Sequence, residues 1–134
     1  MTFLPAAAFA LAPADRWAPR STPNGTVVLS KWGGASAIVA SPVNATAPPF
    51  ATRLGLLYGT GASNGFLTVT VNGAPQPPIN TFAESTSYAN EAVFELKGLP
   101  NHPLWVLGVQ ATGTWQAGSK DSFVEIVGVN VYTA

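Results

Sequence analysis

Gly61-Ala62-Ser63-Asn64-Gly65 matches G-x-S-x-G, the pattern of a hydrolase nucleophile elbow, in which a strand turns sharply into a helix and presents a serine oxygen beside backbone N–H donors. Here the pattern runs straight into FLTVTVN, which alternates apolar and polar residues as a strand does. With no helix to lift Ser63, the glycines serve a loop, and the order Ser63, Glu91 or Glu95, His102 has no elbow from which to build a triad. His102 is the sole histidine and sits in Leu99-Pro100-Asn101-His102-Pro103, a loop context. A metal centre needs several converging ligands, and the chain has no cysteine to contribute. Asp121 with Glu125, near Ser119 and Ser122, is the nearest approach to a calcium set, and two carboxylates are too few. The expectation is a non-enzyme with no catalytic residues, no metal and no cofactor.

The four tryptophans offer different chemistry. An exposed indole stacks on the C–H-rich face of a sugar ring, whereas a buried one fills a core. Trp115, in the loop Gly113-Thr114-Trp115-Gln116, is the best candidate platform; Trp32, in Lys31-Trp32-Gly33-Gly34, fits either role; Trp105 lies in a strand and is expected to pack. Trp32 and Trp115 are therefore the candidate glycan-binding residues.

Composition narrows the partners. A length of 134 residues suits one domain with a real core. Charged residues make up 9% and cancel, so no basic field exists to hold nucleic acid or an anionic membrane. With 47% hydrophobic residues, so weakly charged a surface suits a protein covered by neighbours. Met1 to Ala12 is apolar, but no Lys or Arg precedes it and Pro5 interrupts it, so it is not read as a signal peptide. The sequons Asn24-Gly25-Thr26 and Asn44-Ala45-Thr46 read as turns.

Residues 1–25 are rich in Ala and Pro, show no sustained period, and are expected to form an extended N-terminal arm, either folded back over its own domain or docked on a neighbouring subunit, with a short helical turn over Ala6 to Leu11. Residues 26–134 form the domain proper. Turn signals there separate short apolar runs: Thr26 to Ser30, Ala35 to Ala40, Arg53 to Tyr58, Phe66 to Asn72, Glu91 to Leu96, Leu104 to Thr112 and Phe123 to Tyr132. Leu67, Val69 and Val71 share one strand face and Thr68 and Thr70 the other, with Asn72-Gly73 as a turn that tolerates positive φ. In the next clear strand Ala92, Phe94 and Leu96 should face inward, and Gly128 permits a bulge or a close backbone approach in the last. Strands this closely spaced, without crossover helices, predict an all-β antiparallel sandwich of about eight strands.

RLGLLYGTG at 53–61, FLTVTVNG, KGLPNHPLWVLGVQATG and the closing SFVEIVGVNVYTA together resemble the galactose-binding-like jelly-roll domains. The resemblance implies a jelly-roll fold. Members of that family include carbohydrate-binding modules, and similar jelly rolls build virus and phage particles. Asn72 replaces an acidic residue common before the hairpin glycine, and Gly128 stands where an aspartate is common, and these departures count against carrying over an inherited calcium or sugar site.

Two functions follow as expectations. The first is a virion structural protein, a phage capsid decoration or cement protein. It would form a homo-oligomer, with a trimer favoured, and clamp the major capsid protein or another particle subunit with Phe3, Leu4, Phe9, Leu11 and Trp17. The alternative is a secreted, extracellular carbohydrate-binding module that recognises glycans through its exposed tryptophans.

Overall fold

A computed structural model describes residues 1–23, 25–42 and 49–133. The asparagines of both sequons, Asn24 and Asn44, lie outside the described residues. Twelve strands among the described residues form two sheets, in which every strand-to-strand ladder is antiparallel. They are β1 (Thr2–Pro5), β2 (Ala10–Ala12), β3 (Ala18–Thr22), β4 (Gly25–Ser30), β5 (Ser36–Ala40), β6 (Ala51–Thr60), β7 (Phe66–Val71), β8 (Ala74–Pro75), β9 (Ile79–Asn80), β10 (Ser87–Glu95), β11 (Val106–Ala111) and β12 (Val124–Thr133). One sheet has the order β10-β6-β12-β4-β3 with β1 also on β12; the other is β2-β5-β11-β7-β8 with β9 also on β7. This is a jelly-roll β-sandwich.

The alternation read from the sequence sets the core. Leu67, Val69 and Val71 are buried while Thr68 and Thr70 are not, and Asn72 (φ 51) with Gly73 (φ 79) makes the predicted turn into β8. On β10, Glu91, Val93 and Glu95 face solvent, Ala92 and Phe94 are partly covered, and Leu96, just beyond the strand, is fully buried. Leu54, Leu56, Leu107, Ile126 and Trp105 complete the layer between the sheets, each aliphatic side chain contributing about 1.5–3 kcal/mol over its exposed state. Trp105 packs as expected.

Of the two readings of the N-terminal arm, the one folded back over its own domain holds: residues 1–22 supply three strands to this domain's own sheets rather than docking on a neighbouring subunit. β1 pairs along β12, β2 along β5 and β3 along β4. Ala6–Ala8 is a 3-10 turn, shorter than the expected Ala6 to Leu11 helical turn. Phe9 and Trp17 are 5% and 7% exposed in the core, with Leu4 and Leu11 packed against it. Phe3 alone of the five expected clamp residues is largely exposed. Gly128 makes the β1 pairing possible, because a Cβ there would run into Leu4 O and lie 2.7 Å from the Phe3 ring. No side chain fits at that position. About eight strands were expected because the Pro-rich stretches 1–22 and 74–80 read as arm and loop, yet proline is tolerated on edges, and Pro19 and Pro75 lie in the edge strands β3 and β8.

Candidate functional site

The strand directions bring five segments together at one end of the sandwich: 13–17, 31–35, 61–65, 81–86 and 112–123. Backbone hydrogen bonds lock them to one another. Gly34 N donates to Ala111 O (2.8 Å), Lys120 N to Ala62 O (2.9 Å), Phe123 N to Ser63 O (3.0 Å), Gly65 N to Phe123 O (2.8 Å) and Ala83 N to Gly61 O (3.0 Å). Side chains add to the lattice: Ser122 Oγ donates to Lys31 O at 3.0 Å and Ser119 Oγ to Asn64 O at 2.9 Å. A long β11–β12 loop fixed at so many points is a scaffold rather than a tether.

This end carries both candidate tryptophans. Trp32 is 47% and Trp115 52% exposed. Their loops meet glycine to glycine: a Cβ at Gly113 (φ 74) would lie 2.9 Å from Gly33 Cα, and one at Gly33 would lie 3.0 Å from Thr112 O. Only glycine allows that approach. The two indoles differ in what covers them. The Arg16 guanidinium stands 4.0 Å from the centroid of the Trp32 ring and occupies one of its faces. Trp115 sits among hydrogen-bonding groups of the kind that read hydroxyls. Thr112 and Thr114 hydroxyls are 2.7 Å apart, and Gln116 Oε1 accepts from Asn80 Nδ2 at 2.6 Å.

The other candidate chemistry does not assemble. Ser63 lies in a strand–loop–strand connection at the tryptophan end, whereas His102 Nε2 is 3.1 Å from Ala51 O, at the start of β6 and therefore the opposite end. Glu91 points onto the outer sheet face, where its Oε2 accepts from Tyr132 Oη (2.5 Å) and Asn130 Nδ2 (2.9 Å). Those two bonds, the Tyr132 bond foremost, hold the Glu91 carboxyl below its ordinary value, and the same carboxylate pushes the Tyr132 phenol up. Glu95 pairs in register with Arg53 near the His102 end. No triad forms.

Asp121 and Glu125 do not converge either. Asp121 Oδ1 accepts from Ser122 N (2.8 Å) and Oδ2 faces Lys31 Nζ at 3.9 Å; Glu125 Oε1 accepts from Asn64 Nδ2 (3.2 Å) and Oε2 faces Arg20 Nη1 at 3.5 Å. Each carboxylate answers a separate cation. Among the described residues no group of three or more His, Cys, Asp or Glu could hold a metal ion, and no helix is long and apolar enough to cross a membrane. Sequence reasoning missed Arg16, Arg20 and Asn64, all of which act through partners distant in the chain.

The chain is similar in fold to solved structures at low sequence identity. It matches a Paenibacillus xanthan lyase with a TM-score of 0.68 and 10% identity, covering 99% of this chain and 13% of that one. It matches the CBM36-1 domain of a multidomain xylanase from the hindgut metagenome of Trinervitermes trinervoides (TM-score 0.65, 9% identity, 99% and 97% covered). It also matches a family 35 carbohydrate binding module from Clostridium thermocellum (TM-score 0.60, 16% identity, 99% and 98% covered). No protein-family model and no curated protein sequence matches. The fold is that of the galactose-binding-like jelly-roll domains. Four of the structures matched over nearly their whole length are carbohydrate-binding modules.

These matches overturn the particle-protein expectation. Nothing among them points to a virion, and the arm that was to clamp a capsid subunit through Phe3, Leu4, Phe9, Leu11 and Trp17 is folded into this chain's own sandwich. Once Phe9 and Trp17 are in the core, withdrawing them for a partner would expose the apolar area that stabilises the domain.

Proposed function

We propose that this chain is a non-catalytic carbohydrate-binding module that acts outside the cell and holds a glycan against Trp115, with the uncovered face of Trp32 as a second contact. The observation that carries this reading is the pair of half-exposed indoles on two loops clamped together by glycine contacts at one end of the jelly roll. Stacking needs a ring that is already in place, because ordering a mobile side chain on binding costs free energy that a weak contact cannot recover. The Thr114, Gln116 and Asn80 groups beside Trp115 are positioned to exchange their mutual hydrogen bonds for sugar hydroxyls. Similarity in fold to carbohydrate-binding modules supports the same reading.

The test is depletion of the protein from solution by insoluble polysaccharides, followed by titration calorimetry with soluble fragments of those that bind. Trp115→Ala should abolish binding while leaving the near-ultraviolet circular dichroism of the buried Trp105 in place. No binding to any plant, bacterial or fungal polysaccharide, or binding that survives Trp115→Ala with Trp32→Ala, refutes the proposal.

A further inference from the structure

Charge is divided unequally between the two sheets. Arg20, Arg53, Glu91, Glu95 and Glu125 all lie on strands of the sheet β10-β6-β12-β4-β3, whereas no residue of β2, β5, β7, β8, β9 or β11 is charged. Alternation builds the outer face of this neutral sheet: Ala37 and Val39 on β5, with Leu107 and Val109 on β11, point into the core and so send Ile38 and Val106 outward. Ile38 and Val106 are 46% and 45% exposed. In register with Ile38 on the adjacent strand stands Gly108, where a Cβ would meet, apart from its chain neighbours, only Thr70 Oγ1 at 2.7 Å. The result is a trough of about 210 Å³, lined among others by Ser36, Thr68, Thr70, Gly108 and Gln110, with Ile38 as a raised wall. An uncharged face that sets an aliphatic knob beside a hole able to hold it is complementary to itself.

We propose that this face binds a second copy of the chain about a two-fold axis, with Ile38 of each copy seated in the Gly108 trough of the other. Room suffices: at ~30 Å³ per water the trough equals about seven waters, more than the four carbons of an isoleucine side chain fill. The pairing also fixes the axis. Ile38 and Gly108 lie directly across from each other on β5 and β11, so the two-fold rotation that exchanges their places on facing sheets runs along the strands, between these two. β5 then covers the partner copy's β11, β2 covers its β7, and both copies present their tryptophan loops at the same end. Four strands at about 4.8 Å spacing, five residues long at about 3.3 Å each, give a contact of roughly 19 by 17 Å. With side-chain relief, two such faces bury on the order of 1,000 Å² in total, enough for a specific but weak interface. Other occupants fit less well. A charged partner meets no counter-charge on these strands, and no aromatic ring lines the trough for a sugar to stack on. The contact uses none of the tryptophan platform and stands apart from the glycan reading.

Sedimentation equilibrium of the full chain from about 5 to 500 µM tests the proposal. The apparent mass should climb from 13.8 kDa towards twice that value, with a Kd in the micromolar range. Ile38→Lys places a charge in the middle of the contact at a position already exposed, and it should weaken association at least tenfold while leaving Tm near that of the wild type. Thr70→Lys, also at an exposed position, should do the same, whereas Val93→Lys, on the other sheet and 48% exposed, should leave association unchanged. In a mixture of methyl-carbon-13-labelled copies with deuterated, nitrogen-15-labelled ones, the Ile38 methyl protons of one copy should show a nuclear Overhauser contact with the Gly108 amide of the other. A chain that keeps its monomer mass at the highest concentration overturns the proposal. So does association that Ile38→Lys and Thr70→Lys leave intact, association that Val93→Lys abolishes, or a dimer without the Ile38–Gly108 contact.

Discussion

Gly65→Ala measures how firmly the β6–β7 turn holds the loop that carries Trp115. A Cβ at Gly65 would run into Thr114 O and lie 2.8 Å from Ser122 Cα and 3.1 Å from Ser122 C, all backbone atoms that cannot rotate aside. Gly65 cannot retreat, because its N donates to Phe123 O (2.8 Å) and its O accepts from Thr81 N (3.1 Å) and Thr81 Oγ1 (2.6 Å). Thr114 O is likewise committed, accepting from Phe66 N at 3.0 Å. Gly65 is not among the residues with positive φ, so alanine brings no torsional strain and even gains about 0.4–1 kcal/mol through the unfolded chain. Overpacking costs about 1–3 kcal/mol and more where backbone must move, which leaves a net loss of about 2 kcal/mol. At an unfolding entropy of about 2.1 cal/mol/K per residue, that lowers Tm by about 7 °C. Gly73→Ala is the control: φ is 79 and nothing lies within 4 Å of its Cβ, so its loss of about 1 kcal/mol is purely torsional and falls at the far end of the sandwich.

Scanning calorimetry gives the two Tm values, and titration with the tightest soluble glycan gives the two affinities. Gly65→Ala should lose both stability and affinity, since Thr114 precedes Trp115 and must shift; Gly73→Ala should lose stability alone. A Gly65→Ala protein with unchanged Tm, or with lowered Tm and full affinity, would show that the loop's position does not depend on this contact. The clamped-platform argument would then be wrong.

Phe9→Ala should cost about 3–5 kcal/mol in chemical denaturation, the loss of a core residue rather than of an arm. Gly128→Ala should detach β1 from β12, read as faster hydrogen exchange at residues 2–5 while the core amides of β7 and β11 keep their protection. Tyr132→Phe removes the largest influence holding the Glu91 carboxyl low, so Glu91 should titrate at higher pH by carbonyl-carbon NMR. A depressed folded value contributes stability above the unfolded carboxylate range and loses it as pH falls through the folded value. The Tm gap between wild type and Tyr132→Phe should therefore be widest near neutrality and close in acid.

What the sequence made legible was whatever depends on neighbours along the chain. The Asn72-Gly73 turn, the burial of Leu67, Val69 and Val71, and the exposure of Trp115 between Gly113 and Gly118 all follow from local pattern. The first 22 residues escaped because their pairing is decided elsewhere. A Pro- and Ala-rich strand has little propensity of its own and forms because β12, β5 and β4 offer it edges, with Gly128 clearing the space for one of them. The same blindness hid the chemistry around Glu125. Its carboxylate faces Arg20 and Asn64 because Glu125 alternates along β12 with Val124 and Ile126, which point into the core, and Gly59, opposite it, lacks a side chain that would collide with Tyr88. Burial, and secondly Glu125, push the Tyr88 phenol up, so the cluster is already coupled electrostatically. Glycine thus acts twice in this domain: at Gly33 and Gly113 it lets the tryptophan loops touch, and at Gly59 it makes room for a buried acid. A surface poor in charge accords with the proposed glycan binding, because sugars are held by rings and hydroxyls rather than by fields. The sparse charge that suggested burial under neighbouring subunits accords as well with a face left open for a neutral ligand.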